Sequence, residues 1–372
     1  MITPASASWK LAARDAWFSG ERLAPRPVGP ISLGLWGTLT WNPKENRLLL
    51  EPARVWLGNE ETLFVTLHSS VVFGGKGALE FRAEAKDLPF EQLVQALPPQ
   101  LRPDESAPAA QGPLTASLSI RGPPGEPEAW EVEPVLELDR LKPSRARDLT
   151  VPFEHTAVDA KGRTRNLILA PESGAFVPLE QLPEHVVRAV LTSEDAGFFG
   201  HDGFEFTEIH DSLIAAIRGT RFRGASTLTQ QLAKNLYLSR EKTLSRKVKE
   251  ALITLALEVS VPKERLLEIY LNLIEWGPNL YGLGEAAPHY FGVQAPALSP
   301  RQAVFLATII PNPNRYYGYY LKGELTPHWE ERVRTLLTKL RDAGHLDEAR
   351  YQAALVERLV FRRDTATPVA PR

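Results

Sequence analysis

The chain has 372 residues, of which 43% are hydrophobic and 24% charged, and a formal net charge of −2. That length accommodates two domains, and the composition excludes a wholly disordered chain. The near-zero charge gives no sign of nucleic-acid binding, and the absence of cysteine excludes disulfides and thiolate metal sites.

The first ~165 residues read as antiparallel β-structure. Leu33, Leu35, Gly37, Leu39 and Trp41 alternate with other residues, and Asn42–Asn46 supplies turn chemistry. Leu48–Trp56 and Leu63–Val72 are further strands, separated by Gly58, Asn59 and Glu60. Leu114–Ile120 and Trp130–Leu138 alternate apolar with polar residues, as half-buried strands do. Phe90–Leu97 reads as a short helix, and Pro98–Gly112 as a loop rich in Pro and polar residues. Met1–Arg22 has scattered charge and no apolar core, unlike a signal peptide. No run approaches the ~18–20 apolar residues that span a bilayer. If the protein works outside the cytoplasm, a segment upstream of this start is expected.

From about Leu179 the period becomes helical. Pro183 opens a helix with Val186, Val187, Val190 and Leu191 on one side. Thr227 and Gln230 fit a capping box ahead of Leu228, Leu232 and Leu236. Leu244, Val248, Leu252, Leu255 and Val259 mark one face of a long helix that stops before Pro262. Ser299 to Gln302 is a second capping box, and Thr326-Pro327 starts a helix that ends near Gly344. The expected fold class is therefore multidomain. A mainly antiparallel β domain spans residues 1–168 and a mainly α domain spans 169–372. Every chemical motif lies in the second part, so a fragment starting near Ala170 is expected to fold alone.

Residues 216–249 hold nine Lys/Arg against the single acid Glu241, a local charge of +8 in a chain of net −2. Such a field suits an anionic ligand or membrane surface. Carboxylates bracket it. Glu194 ends an apolar helical run beside Asp195, a placement that raises a carboxyl pKa toward that of a general base. Ser226, Thr227, Gln231, Lys234 and Asn235 open the next helix, and residues three or four apart share a face. Hydroxyl, amide and ammonium donors at a helix start suit a sugar and a phosphate. Arg246, Lys247 and Glu250 lie within one helical turn. Alone they would be an ordinary ion pair worth ~0.3–0.5 kcal/mol.

The motifs together resemble the peptidoglycan glycosyltransferases of glycosyltransferase family 51, nearest the monofunctional biosynthetic type. The resemblance covers roughly residues 175–320. It rests on Ser193–His201, Gly224–Asn235, Arg246–Glu250, Glu268–Gly277 with Glu285–Gly292, and Leu298–Ala303 with Pro311–Tyr316. Ala225 departs from the family's Gly-Gly-Ser-Thr, and Ala196 stands where bifunctional members often carry Arg. The resemblance implies a lysozyme-like helical domain with a membrane-facing jaw near residues 204–223. There Phe204, Phe206, Ile209, Leu213, Ile214, Ile217 and Phe222 mix with Arg218, Arg221 and Arg223. It implies polymerisation of lipid II into β-1,4-linked glycan. Glu194 and Glu250 are the catalytic carboxylates. Asp195, Phe198, His201, Ser226, Thr227, Gln231, Lys234, Asn235, Arg246 and Lys247 bind substrate. No organic cofactor is implied; family members differ in metal need, which leaves Mg²⁺ or Mn²⁺ open. The implied partners are lipid II, the growing strand, the membrane surface and a separate transpeptidase, since no Ser-x-x-Lys motif follows Pro313. The implied location is the periplasmic face of a bacterial inner membrane.

Residues 85–122 loosely resemble AsmA-like envelope proteins, which implies a curved sheet with a lipid-accommodating groove; a plain β spacer fits as well. Two other functions stay open. Paired carboxylates also suit a lysozyme-like hydrolase, although sugar–sugar cleavage needs no pyrophosphate clamp. A non-catalytic envelope-binding module would have no use for both Glu residues.

Overall fold

The computed structural model describes residues 3–58, 63–75, 77–145, 148–159, 161–206, 214, 217–219 and 226–362. Asn59 and Glu60 of the expected turn lie outside the described residues. So do Ile209, Leu213, Arg221, Phe222 and Arg223 of the expected jaw, and Gly224 and Ala225 before the Ser-Thr helix.

The strands are β1 (Ala5–Phe18), β2 (Val28–Asn42), β3 (Arg47–Leu57), β4 (Phe64–Val72), β5 (Ala78–Pro89), β6 (Ala109–Gln111), β7 (Pro113–Gly122), β8 (Glu131–Glu137), β9 (Lys142–Arg145), β10 (Phe153–Val158) and β11 (Thr164–Leu169). Two short strands follow, β12 (Glu275–Gly277) and β13 (Leu280–Tyr281). The described helices are α1 (Phe90–Ala96), α2 (Glu184–Glu194), α3 (Leu228–Tyr237), α4 (Leu244–Ser260), α5 (Lys263–Leu273), α6 (Leu283–Phe291), α7 (Pro300–Ile309), α8 (Pro313–Lys322), α9 (Pro327–Asp342) and α10 (Glu348–Val356).

Backbone packing divides the chain into two compact units. One comprises Met1–Arg147, His201–Gly224 and Tyr237–Ser260; the other comprises Asp148–Gly200, Ala225–Leu236 and Val261–Arg372. The first is built on a seven-stranded antiparallel sheet in the order β1-β2-β3-β4-β5-β7-β8. Its register gathers the apolar alternation onto one face. Leu11, Leu35, Val55 and Val65 lie in line across four strands, as do Trp41, Leu48, Val71 and Leu79. Gly34 is required on the other face, where the Trp56 ring leaves no room for a Cβ. Strands β1 and β5 escape the sequence reading. β1 is almost wholly exposed and needs few apolar residues, and β5 alternates them with Glu and Arg.

The first unit also contains α4, a difference from the boundary read at residue 168. Leu252, Leu255 and Ala256 of α4 are buried in one cluster with Phe90, Leu114 and Leu141. The apolar stripe of α4 was legible, but the surface that covers it was not. The β10–β11 hairpin differs in the opposite sense, since it lies in the helical unit. There Arg165 donates to Glu285 Oε1 at 2.5 Å.

The helical unit packs α2 against α7 and α9. Its core holds Val186, Val190, Leu267, Ile269, Phe305 and Leu337, all buried. The start signals behave as read. Ser299 and Gln302 form the reciprocal capping box of α7, and Thr326 accepts from Trp329 N–H at the head of α9. Among the described residues, no helix is long and apolar enough to cross a membrane.

Candidate active site

Glu194 is the last residue of α2, half-buried beneath the start of α3. Its Oε2 accepts from Gln231 Nε2 at 3.1 Å, and its Oε1 lies 3.2 Å from the Ser193 hydroxyl. Burial raises its pKa above the ordinary carboxylate value. The bonds from Gln231 and Ser193 and the positive charges of Arg332 and Lys234 oppose that rise without cancelling it. A carboxylate that holds its proton more tightly than usual, yet is flanked by cations, is suited to take a proton from a hydroxyl.

Gln231 is fixed from three sides. Its Nε2 also lies 3.3 Å from the Ser226 carbonyl, and its Oε1 accepts from the Tyr270 hydroxyl at 2.9 Å. Tyr270 is wholly buried in α5. Burial, with the negative charges of Glu194 and Asp195, drives its pKa well above the usual phenol value. The hydroxyl therefore stays protonated and donates. Sequence reasoning placed Tyr270 within the Glu268–Gly277 motif without a role and missed this contact, because the two side chains meet only across 39 residues of chain. Arg332 of α9 was also missed, as it lies beyond the last recognised motif.

The neighbouring expected substrate contacts divide by burial. Asp195 is 8% exposed, and its Oδ2 accepts from the Leu228 N–H at 2.8 Å. It thereby satisfies an amide at the head of α3, so its carboxylate anchors that helix. Phe198 has a ring that is 0% exposed, with Lys263 Nζ 4.5 Å from the ring centroid, so it packs in the core. Thr227 is buried, and its Oγ1 caps α3 by accepting from Gln230 N–H at 3.3 Å. Ser226 and Lys234 are half-buried and Asn235 is exposed. Glu268 and Asn272 hold the chain ahead of α2: Asn272 binds both the N–H and the carbonyl of Val177, and Glu268 accepts from Leu179 N–H.

The remaining expected residues belong to the sheet unit. Glu250 is 2% exposed and receives hydrogen bonds on separate oxygens from Arg246 and Lys247. The carboxylate thus holds the two cations side by side. Lys247 keeps about half of its side-chain surface exposed, whereas Arg246 is mostly covered. His201 Nδ1 accepts from Gly203 N–H at 3.1 Å. No group of three or more His, Asp or Glu suited to a metal occurs among the described residues. Both Glu250 oxygens are already engaged, so the residues do not form a ready metal site.

A carboxylate of raised pKa beside amide and ammonium donors, in a chain that also carries a carboxylate-braced pair of cations, suits an enzyme that moves a proton and meets an anion. Comparison with known proteins gives the particular family. The transglycosylase family matches residues 159–341. The biosynthetic peptidoglycan transglycosylase of Nitrosomonas eutropha is 44% identical over 169 residues, covering 45% of this chain and 68% of that protein. The protein of the same name from Nitrosospira multiformis is 42% identical over 170 residues, covering 45% and 72%. A crystal structure of penicillin-binding protein 1A from Haemophilus influenzae covers 57% of this chain and 22% of its own, at 20% identity and a TM-score of 0.30, too loose a likeness to compare folds. The chain belongs to the transglycosylase family.

Proposed function

We propose that this protein polymerises lipid II into β-1,4-linked peptidoglycan strands. The observation that carries the reading is Glu194, a half-buried carboxylate of raised pKa held by Gln231 beside Lys234, in a chain 44% identical to a biosynthetic peptidoglycan transglycosylase. The growing strand is the donor, linked through an α-anomeric bond to a polyprenyl pyrophosphate. Glu194 takes the proton of the acceptor sugar's 4-hydroxyl as that oxygen bonds to the donor's anomeric carbon from the opposite face. The bond from that carbon to the pyrophosphate oxygen breaks, and its electron pair leaves with the pyrophosphate. A single displacement inverts the configuration and gives the β link.

Pyrophosphate is a good leaving group, so the need is for positive charge where negative charge develops. Arg246, Lys247 and Lys234 supply it. Glu250 braces Arg246 and Lys247, which is a positioning role, and Ser226 and Asn235 offer polar contacts to sugar or phosphate. A divalent ion, where one is used, would be held in part by the substrate's own phosphates. The helical unit serves as a lysozyme-like catalytic lobe, and the protein works at the periplasmic face of the inner membrane with a separate transpeptidase completing the wall.

The test is incubation of the protein with labelled lipid II in detergent and divalent metal, followed by gel separation. Ladders of long glycan are expected. Lipid II that stays monomeric after prolonged incubation would refute the reading, and cleavage of finished glycan would favour a hydrolase.

A further inference from the structure

The family match begins at residue 159, which leaves the N-terminal sheet without an assigned role. Its packing shows what it holds. The first amides of a helix have no partner inside the helix. In α4, the N–H groups of Leu244 and Ser245 donate to the carbonyls of Arg22 and Leu23, both at 2.9 Å. Those carbonyls lie in the connection between β1 and β2. One helical turn later come Arg246, Lys247 and Glu250. Further along, Leu252, Leu255 and Ala256 are buried against Phe90, Leu114 and Leu141. Lys249 Nζ lies 3.5 Å from Asp104 on the loop after α1. The helix that carries the paired cations is thus tied at its head by backbone bonds, along its length by apolar packing, and at its side by an ion pair. All three ties come from residues before the family match.

We propose that the N-terminal β domain is a positioning element of the enzyme: it fixes α4 so that Arg246 and Lys247 meet the pyrophosphate of the donor. The residues that do this are the Arg22–Leu23 backbone, Phe90 and Leu141. None of them touches substrate; they act through α4. The inference rests on the proposed polymerase reading for the identity of the donor. It departs from a view of the sheet as a spacer beside an independent catalytic domain.

The packing also gives the sequence a reason. Phe90 starts α1 directly after β5, and it is only 2% exposed. Its covering surface is in part α4, some 160 residues later in the chain. A truncation here leaves a cavity under the helix that carries the cations. A similar truncation at Leu63 does not, since Leu63 is buried with Ala85 and Leu88 in a cluster that holds no residue of α4 and shares only Leu93 with the one beneath it.

The experiment uses the full chain with Phe90→Ala, Leu141→Ala and, as control, Leu63→Ala. Thermal unfolding, lipid II turnover and the affinity of a phosphoglycolipid that mimics the donor are read in each. Misplacing a binding group by an ångström can lower rate by about 100-fold. Phe90→Ala and Leu141→Ala are therefore expected to weaken mimic binding and turnover by about 10- to 100-fold. Leu63→Ala, with a comparable loss in Tm, should leave mimic affinity unchanged, and Phe90→Leu should restore most of it. Equal affinity in all four variants, or losses that merely follow Tm, would overturn the proposal.

Hydrogen exchange reads the ties directly and does not depend on activity. The Leu244 and Ser245 amides should be protected in the wild-type chain and lose protection in Phe90→Ala, or in the milder Phe90→Leu where the first does not fold. Unprotected amides in the wild-type chain would also overturn the proposal. An inactive wild type with protected amides would instead refute the polymerase reading alone.

Discussion

Replacing Tyr270 by Phe removes one hydroxyl and no packing volume. The hydroxyl donates to Gln231 Oε1 at 2.9 Å, and Gln231 Nε2 donates to Glu194 Oε2 at 3.1 Å. Without its donor, Gln231 Oε1 is a covered acceptor with an unmet bond, a loss of ~1–3 kcal/mol in stability. The amide is then less firmly oriented, although its remaining bonds to Glu194 and the Ser226 carbonyl still favour the native direction. The effect on rate should therefore be moderate. If a tenth to a third of the population keeps the productive arrangement, kcat falls about 3- to 10-fold, a difference of ~0.7–1.4 kcal/mol. A weaker Gln231 bond also removes an influence that lowers the Glu194 pKa, so that pKa rises further. A general base works only when deprotonated, so the acidic limb of the pH–rate profile must move to higher pH. The charges around the carboxylate, Asp195, Lys234 and Arg332, are unchanged in the variant and cannot produce that shift. The assay is lipid II polymerisation across pH with Tm measured in parallel. A lowered Tm with unaltered kcat and an unmoved acidic limb would show that Tyr270 only packs and does not orient Gln231 toward Glu194.

Glu194→Gln should lower turnover by ~10²–10⁴-fold, the usual contribution of a general base; near-normal turnover in the polymerisation gel would remove Glu194 from the mechanism. The same variant should be more stable than wild type at neutral pH. The folded-state pKa of Glu194 is raised, so folded and unfolded chains hold its proton equally at low pH, and the unfolded chain releases it first as pH rises. The Tm advantage of Gln should thus vanish below about the unperturbed carboxyl pKa of ~4.3 and appear above it. Lys247→Ala should weaken binding of a donor-mimicking phosphoglycolipid and cost the fold less than Arg246→Ala, because its side chain is about half exposed and Arg246 still pairs with Glu250. Arg246→Ala should weaken binding and also destabilise the fold by ~1–3 kcal/mol, since it leaves one oxygen of buried Glu250 unpaired while Lys247 holds the other. Unchanged mimic affinity in both variants would place the pyrophosphate elsewhere. A fragment starting at Ala170, expected from the sequence to fold, should instead aggregate. It uncovers Leu252 and Leu255, each worth ~1.5–3 kcal/mol when buried; a soluble, cooperatively unfolding and active fragment would contradict this.

Much of the local structure was legible in the residues alone. Caps and proline starts fixed the heads of α7 and α9, and the apolar stripes of α2 and α4 were visible at helical spacing. The alternation of β2, β3, β7 and β8 was equally plain, because these signals repeat within one or two turns or a few residues. The sequence also assembled the family motifs around Glu194 and Glu250, since residue type and spacing suffice for that. What each motif residue touches depends on packing between distant segments. Asp195 and Phe198 sit in one motif with Glu194, yet one anchors a helix and the other fills the core, because burial depends on elements far along the chain. Tyr270 reaches Gln231 across 39 residues, and α4 is tied to carbonyls more than 200 residues earlier. A periodic stripe states that a helix has an apolar face, but it carries no information about which surface will cover it. For that reason the sequence drew a boundary at residue 168, while packing places α4 with the β-sheet.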